Sequence, residues 1–141
     1  MGQFSKTSQE RLSTCHPQLV RLMTIVVQTY DIVIVYGFRT EEAQNRVFAE
    51  GKSRLKFPFS KHNKTLIDGT PYSEAVDAAP FNTKELPIDW NDAKSFIYLG
   101  GYILGVARGL DIPLRWGGDW DGDRNMRDQT LIDLPHFELI T

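Results

Sequence analysis

The chain has 141 residues, of which 41% are hydrophobic and 24% charged, and its 16 basic and 18 acidic residues give a formal net charge of -2. This size and composition predict one globular domain over residues 1–141, and the lack of a cationic excess argues against nucleic acid as a partner. Cys15 is the single cysteine, which excludes an intramolecular disulfide and a thiolate-rich zinc site.

The first predicted elements are a helix, a strand and a second helix. Pro17 suits a first helical turn, and the apolar residues that follow recur with a helical period, which predicts a helix over 17–29. The β-branched segment 31–37 predicts a mostly buried strand. Thr40 is a candidate N-cap for a helix that runs to about Glu50 and stops at the next glycine.

The second half of the chain alternates loops and strands around one long helix. Residues 52–73 lack periodicity and predict a long loop. The other predictions are a strand over 74–81, a helix that opens near Asp89 or Asn91 and packs closely through Gly100, Gly101 and Gly105, a strand over 112–118, a polar loop over 119–129 and a last strand over 136–140. Few residues remain for parallel crossovers, which favours an α+β fold with a small antiparallel sheet flanked by helices.

Three ionisable residues beside apolar sequence are candidates for a metal site. His62 lies in the long loop, Asp77 lies inside the segment AVDAAP, and His136 begins the last strand. Two imidazoles and a carboxylate are a common ligand set for catalytic zinc. An isolated buried carboxylate costs several kcal/mol, so Asp77 needs a cation or hydrogen-bond donors. The residues alone explain Asp77 equally well by a pair with Arg39, and each histidine by an ordinary core position.

Several short segments resemble one family of zinc peptidases. They are GFRTEEAQNRVFAEGKS, SKHN, SEAVDAAP, IDW, RWGGDWDGD and DLPHFEL. Between about Tyr36 and Leu139 the chain is similar to the D-alanyl-D-alanine carboxypeptidases and phage L-alanyl-D-glutamate endopeptidases, which share a fold with the hedgehog signalling domain. The most specific parts are Ser-x-His, Ala-Val-Asp followed by proline, and an acid three residues before the last histidine.

The resemblance implies a role for each site residue. His62, Asp77 and His136 match the zinc ligands, and Asp133 matches the catalytic acid or base. Arg39 matches an arginine assigned to substrate binding and transition-state stabilisation, and Ser60 matches a serine that contributes a hydrogen bond. The interval from His62 to Asp77 is longer than in many members, which predicts a loop excursion there.

The implied function is hydrolysis of the peptidoglycan stem peptide, most simply by an L-alanyl-D-glutamate endopeptidase that acts as a phage-type endolysin. We expect a monomer without a signal peptide or membrane insertion, made in the host cytoplasm and released to the cell wall through a holin-type pore. A D-alanyl-D-alanine carboxypeptidase or a non-catalytic metal-binding or wall-binding module would use the same residues, and both alternatives stay open. A non-haem iron oxygenase usually places its first histidine two residues before the acid, unlike this chain.

Two further groups of charged residues have a predicted use. Asp119, Asp121 and Asp123 alternate in the polar loop and could hold calcium, although the glutamate that an EF-hand loop requires is missing at its spacing. Basic residues in the long loop could steer an acidic substrate, or form an ordinary solvated face; they are Lys52, Arg54, Lys56, Lys61 and Lys64.

Overall fold

The described part of the chain, residues 2–141 of the computed structural model, contains four α-helices and four strands. The helices are α1 (Lys6–Leu12), α2 (Pro17–Val27), α3 (Glu41–Ala49) and α4 (Ala93–Gly109), and the strands are β1 (Ile32–Tyr36), β2 (Ala75–Pro80), β3 (Leu114–Trp116) and β4 (His136–Leu139). Met1 lies outside the described residues, and the assignment of 1–141 to one domain stays a prediction. The predicted α+β class is confirmed.

The strands of residues 2–141 form one antiparallel sheet in the order β1-β2-β4-β3. Side chains alternate between the two faces of a strand, so the register determines which residues share a face. Val76 pairs with Phe137, and both face the core, whereas Asp77 pairs with His136 on the opposite face. The pairing of β1 with β2 shifts between Ile34 and Tyr36, which brings Tyr36 opposite Asp77.

Helices α2 and α4 cover the apolar face of the sheet region. They pack against each other, and α4 also contacts β2 and β3. The core that they form with the strands contains side chains that are almost wholly buried; the largest of these are Phe137, Leu19, Leu22, Met23, Ile34, Leu99 and Ile103. Because the helices occupy this face, the polar residues of the opposite face are left to line a cleft.

The helix ends show local capping. Thr40 caps α3 as predicted, with its hydroxyl accepting from the Ala43 N–H, and Gly51 follows the helix with a positive φ of 75°. His16 caps α2, where Nδ1 accepts from the Gln18 N–H at 3.0 Å. The chain therefore enters and leaves these helices at residues whose side chains or backbone suit the turn.

The structure differs from the sequence prediction in three places. Helix α1 was not predicted. Helix α4 begins at Ala93 with Asp92 as its N-cap, later than Asp89 or Asn91, because the Asp92 carboxylate accepts from the Ser95 N–H while Asp89 forms a preceding turn with Asn91. Of the three α4 glycines predicted to pack closely, Gly100 alone has neighbours among residues 2–141 where a Cβ would lie; these are Trp116 ring atoms, at 2.3 Å.

The long interval before β2 is a loop excursion, as predicted. Lys61–Asn63 form a single 3₁₀ turn, after which Thr65 and Pro71 bridge across a tight turn. Ile67 at the tip of this turn is fully exposed. The extra residues therefore project outward without separating His62 from the sheet. Among residues 2–141, no helix is long and apolar enough to cross a membrane.

Candidate active site

Backbone elements bring His62, Asp77 and His136 to one point. Asp77 and His136 are directly opposite each other on the central strands β2 and β4. His62 comes from the 3₁₀ turn, which a capping box fixes: Ser60 Oγ accepts from the His62 N–H, and the Asn63 side chain accepts from the Ser60 N–H. Ser60 thus makes a hydrogen bond within the turn, and the role that the family resemblance implies for it stays a prediction.

Three potential ligand atoms form a nearly equilateral triangle. His62 Nε2 lies 3.2 Å from Asp77 Oδ1 and 3.3 Å from His136 Nδ1, and His136 Nδ1 lies 3.2 Å from the same Asp77 oxygen. In a tetrahedral zinc site with bonds of about 2.0 Å, ligand atoms lie roughly 3.3 Å apart. The three side chains are buried, so the triangle has the size and shelter of a metal site.

In each histidine ring, the nitrogen that points away from the triangle has a hydrogen-bond partner, and this partner determines which ring nitrogen carries the proton. His62 Nδ1 lies 2.7 Å from the Gly37 carbonyl oxygen, and His136 Nε2 lies 2.8 Å from Glu138 Oε1. Both of these oxygens accept, so each outer nitrogen is the donor. The inner nitrogens of the neutral rings therefore present lone pairs towards Asp77. Three acceptors that face one another require a positive charge between them, which either a proton on His136 or a divalent metal such as zinc supplies, and these residues fit the metal.

The electrostatics of the group agree with this requirement. Burial would raise the pKa of Asp77, but His62 and His136 hold it well below its usual range. Burial lowers the pKa of His62 despite the opposite effect of Asp77. For His136, burial acts to lower the pKa, but its hydrogen bonds to Asp77 and Glu138 raise it to about 9. The site thus favours an ionised carboxylate beside a positive charge.

Arg39 lies against the second oxygen of Asp77. Its Nη2 donates to Asp77 Oδ2 at 2.9 Å, its Nη1 donates to Gln44 Oε1 at 3.2 Å, and its guanidinium lies over the Tyr36 ring at 4.5 Å. The pair with Asp77 is the partner that the residues alone suggested for that acid. A direct contact of Arg39 with substrate stays a prediction.

Asp133 lines the same open cleft, whose volume is about 1330 Å³. Burial, and then the charge of Asp77, raise the pKa of Asp133 to about 6. Its backbone fixes its place, because the Asp133 N–H donates to the Gly117 carbonyl and its own carbonyl accepts from the His136 N–H. The loop that precedes β4 thus carries a carboxyl group with a near-neutral pKa into the cleft.

Two residues near the ligands were missed from the sequence. Gln44 is fully buried on α3 and connects Arg39 to the loop through hydrogen bonds from its amide nitrogen to Ser53 Oγ and the Leu55 carbonyl. Glu138 contacts His136 from the same face of β4. The alternation of a strand could have identified Glu138, since residues 136 and 138 must share a face, whereas no local pattern marks Gln44.

The acidic loop and the basic cluster that the sequence indicated lie partly inside and partly outside the cleft. Carboxylate oxygens of Asp119, Asp121 and Asp123 lie within 4.8 Å of one another, and calcium at this loop stays a prediction. Of the basic cluster, Lys52, Arg54 and Lys61 line the cleft, and Lys56 lies over the Phe48 ring. The indole of Trp120 lies 5.3 Å from the His136 ring, between ring centres.

Comparison with known proteins identifies the family of the chain. The family model described as phage L-alanyl-D-glutamate peptidase matches residues 1–140. The chain belongs to this family. The expected resemblance to peptidoglycan peptidases is therefore confirmed, and the chain is a homologue of hydrolases that act on peptidoglycan.

Two relatives cover nearly the whole chain. The L-alanyl-D-glutamate peptidase of Escherichia phage T5 is 33% identical over 143 residues, which cover 97% of this chain and 97% of that protein. The crystal structure of the Serratia marcescens L-Ala D-Glu endopeptidase ChiX superimposes with a TM-score of 0.73 at 24% identity, covering 97% of this chain and 89% of that one. At 24% identity, the comparison with the Serratia marcescens structure shows a shared fold.

Proposed function

We propose that this protein is a zinc-dependent endopeptidase that cleaves the bond between L-alanine and D-glutamate in the peptidoglycan stem. Membership of the phage L-alanyl-D-glutamate peptidase family supports the class of reaction and the bond. The observation that carries the metal dependence is the convergence of His62 Nε2, Asp77 Oδ1 and His136 Nδ1, all as acceptors, within 3.3 Å of one another.

The donor set suits zinc chemistry. Two neutral imidazoles and one carboxylate leave a bound Zn²⁺ with a net positive charge and a coordination position for solvent. When bound, zinc supplies a Lewis acid that polarises the scissile carbonyl and lowers the pKa of water towards about 7. His62, Asp77 and His136 would hold it, and the cleft beside them admits the peptide.

Asp133 is the residue that we assign to proton transfer. It takes a proton from the attacking water and passes it to the nitrogen of the leaving D-glutamate, so that one carboxyl group acts first as base and then as acid. Its position in the cleft, one turn before His136, supports this role.

Arg39 would serve the site in two ways. Its hydrogen bond to Asp77 Oδ2 directs Oδ1 of the same carboxylate towards the two histidines. As a partly buried cation at the cleft wall, it also favours negative charge that develops on the substrate carbonyl oxygen. The second contribution requires substrate in the cleft and is part of the proposal.

Two alanine variants separate metal binding from hydrolysis. We expect Asp133→Ala to retain zinc, measured by metal analysis after gel filtration, and to lose hydrolysis by a factor of about 10² to 10⁴, the usual contribution of a general acid–base group. His136→Ala should lose both zinc and activity. Hydrolysis by Asp133→Ala at the wild-type rate would rule out this mechanism.

The products identify the bond. With purified peptidoglycan as substrate, an L-alanyl-D-glutamate endopeptidase creates new amino-terminal glutamate, whereas a D-alanyl-D-alanine carboxypeptidase releases free D-alanine. Activity should disappear after treatment with a chelator and return with zinc. Wall binding without either product, by protein that contains zinc, would instead indicate a non-catalytic module.

The route to the substrate belongs to the same proposal. An endolysin that acts from the host cytoplasm needs a separate pore-forming partner to reach the wall, and we propose that this protein depends on one. Its action as a monomer likewise stays a prediction. Co-expression with and without a holin, followed by culture lysis, tests the first point.

A further inference from the structure

Glu138 makes a set of contacts behind His136. Its side chain is 12% exposed, and its Oε1 accepts from His136 Nε2 at 2.8 Å. Its other oxygen, Oε2, accepts from Arg115 Nη1 at 3.1 Å and lies 3.7 Å from Lys61 Nζ. One carboxylate thus joins the candidate ligand to two cations outside the triangle.

The sheet register explains why these groups meet. His136 and Glu138 are alternate residues of β4 and share its polar face. Arg115 on β3 is paired directly with Glu138. Lys61 precedes His62 in the 3₁₀ turn, and its ammonium group also donates to the Leu139 carbonyl. Glu138 is therefore held from the neighbouring strand and from the turn that carries the other histidine.

The two candidate histidine ligands are oriented by different kinds of acceptor. The Gly37 backbone carbonyl fixes the His62 ring, and no side-chain substitution removes that carbonyl. The His136 ring depends on the Glu138 side chain. A carboxylate acceptor on the outer nitrogen holds the proton of the neutral ring there and makes the inner nitrogen a stronger electron donor.

We propose that Glu138 is a positioning residue of the metal site, which fixes the ring orientation and the tautomer of His136 so that Nδ1 is directed at the metal. The inference rests on the proposed function, because it requires that the triangle bind zinc. Arg115 and Lys61 neutralise the Glu138 carboxylate and hold it in place. Replacement of Glu138 should therefore weaken metal binding although Glu138 is not a ligand.

Zinc affinity, measured by competition with a chromogenic chelator, tests the proposal. We expect Glu138→Ala to weaken zinc binding by roughly 10- to 100-fold, the usual effect of losing an outer-sphere partner. Glu138→Gln should lose less, since its amide oxygen can still accept from Nε2. Glu85→Ala is the matched control, because Glu85 is exposed in a loop away from the cleft, and it should bind zinc as the wild type does.

A spectroscopic measurement separates orientation from general stability. Long-range ¹H–¹⁵N spectra of the imidazole rings in the zinc-loaded protein should show the proton of His136 on Nε2 in the wild type and a changed or averaged His136 signal in Glu138→Ala, with His62 unchanged. Thermal unfolding in the presence of a chelator measures any destabilisation that is independent of metal. If Glu138→Ala does not fold, Glu138→Gln and Arg115→Gln provide the comparison, and both should bind zinc more weakly than the wild type.

The outcomes distinguish the two proposals. Wild-type protein that binds zinc, with Glu138 variants whose zinc affinity lies within about twofold of it, would overturn the positioning role and leave the proposed function intact. Failure of the wild type itself to bind zinc would overturn the proposed function and this inference with it. A lower unfolding temperature in the presence of chelator, with unchanged zinc affinity, would make Glu138 a purely structural residue.

Discussion

The direction of a few hydrogen bonds decides what the candidate site can bind. His62 and His136 each use their outer nitrogen as a donor, to the Gly37 carbonyl and to Glu138 respectively. If either ring were turned over, its N–H would face the triangle and could itself pair with Asp77, which would remove the need for a cation. The metal site therefore depends on residues that do not touch the metal.

Cys15, which is not part of the triangle of ligand atoms, allows the effect of burial on a pKa to be tested. Its thiol is buried, and burial raises its pKa from 9.0 to about 12. In the unfolded chain the thiol ionises above about pH 9, but in the folded protein it stays neutral. The neutral thiol therefore makes its full contribution to the stability of the folded protein below pH 9. Above pH 9, the free energy of unfolding should fall by up to about 1.4 kcal/mol per pH unit.

Urea unfolding from pH 7 to 10.5 measures this loss. Other groups also titrate in that range, so the comparison is with Cys15→Ala, in which the slope due to the thiol should be absent. The folded wild type should also react with a thiol reagent far more slowly than the unfolded chain at pH 8. Equal slopes for the two proteins would show that the thiol ionises in the folded state.

The contact between α4 and β3 is set by one glycine. A Cβ at Gly100 would lie 2.3 Å from ring atoms of Trp116, whereas a Cβ at Gly101 has no atom within 4 Å among residues 2–141. Gly100→Ala should therefore destabilise the protein by about 1–3 kcal/mol through overpacking. Gly101→Ala should stabilise it by up to about 1 kcal/mol, because alanine is the better helix former.

Chemical denaturation of the two variants checks this pair. They have the same composition and differ in the face of α4 that receives the methyl group, so helix propensity is matched between them. Tryptophan fluorescence should also change in Gly100→Ala, in which the Trp116 ring must move. Equal stabilities would mean that the helix shifts to make room at little cost.

The sequence predicted the elements better than their contacts. The apolar periodicity of α2 and the cap at Thr40 are local signals, and both predictions are confirmed. The predicted start of α4 is too early because Asp89, Asn91 and Asp92 are all competent caps, and residue type does not distinguish the Asp92 cap from the turn that Asp89 forms with Asn91. The small sheet was predicted, but its register was not, since the shift between Ile34 and Tyr36 depends on pairing with a strand some 40 residues away.

The candidate site was located by resemblance to a family and by residue type. Spacing alone could not join His62, Asp77 and His136, because they meet through non-local pairing of β2 with β4 and through a separate capped turn. Gln44 was missed for the same reason: it is a polar residue of an otherwise ordinary helix, and its burial follows from Arg39 and the loop that pack on it.

At the scale of the whole molecule, the cleft has a basic wall beside the candidate metal site. Arg46, Lys52 and Arg54 line it from α3 and the loop that follows, with Glu50 as the neighbouring acid. Lys52 pairs with Glu50 at 3.2 Å, and the contact of Arg46 with Glu42 is long, at 4.0 Å, and exposed. The wall thus keeps a net positive charge in a chain whose net charge is -2.

This wall should attract the carboxylates of a peptidoglycan stem. We expect the double variant Arg46→Gln with Arg54→Gln to raise KM by up to about tenfold, with little change in kcat, since charge in a cleft raises the local concentration of an oppositely charged substrate. The wild-type kcat/KM should fall as ionic strength rises from about 0.01 to 0.15 M, over which the screening length shrinks from roughly 30 to 8 Å. The variant should lose most of that dependence.

A second double variant controls for net charge. Lys6→Gln with Lys84→Gln removes the same charge from exposed positions that do not line the cleft. If the position of the charge matters, this protein keeps the wild-type KM and salt dependence on a soluble stem peptide. Equal effects of the two double variants would show that the overall charge attracts the substrate, and no effect of either would make the basic wall an ordinary solvated face. The zinc content of each variant should equal that of the wild type, because neither pair touches the triangle.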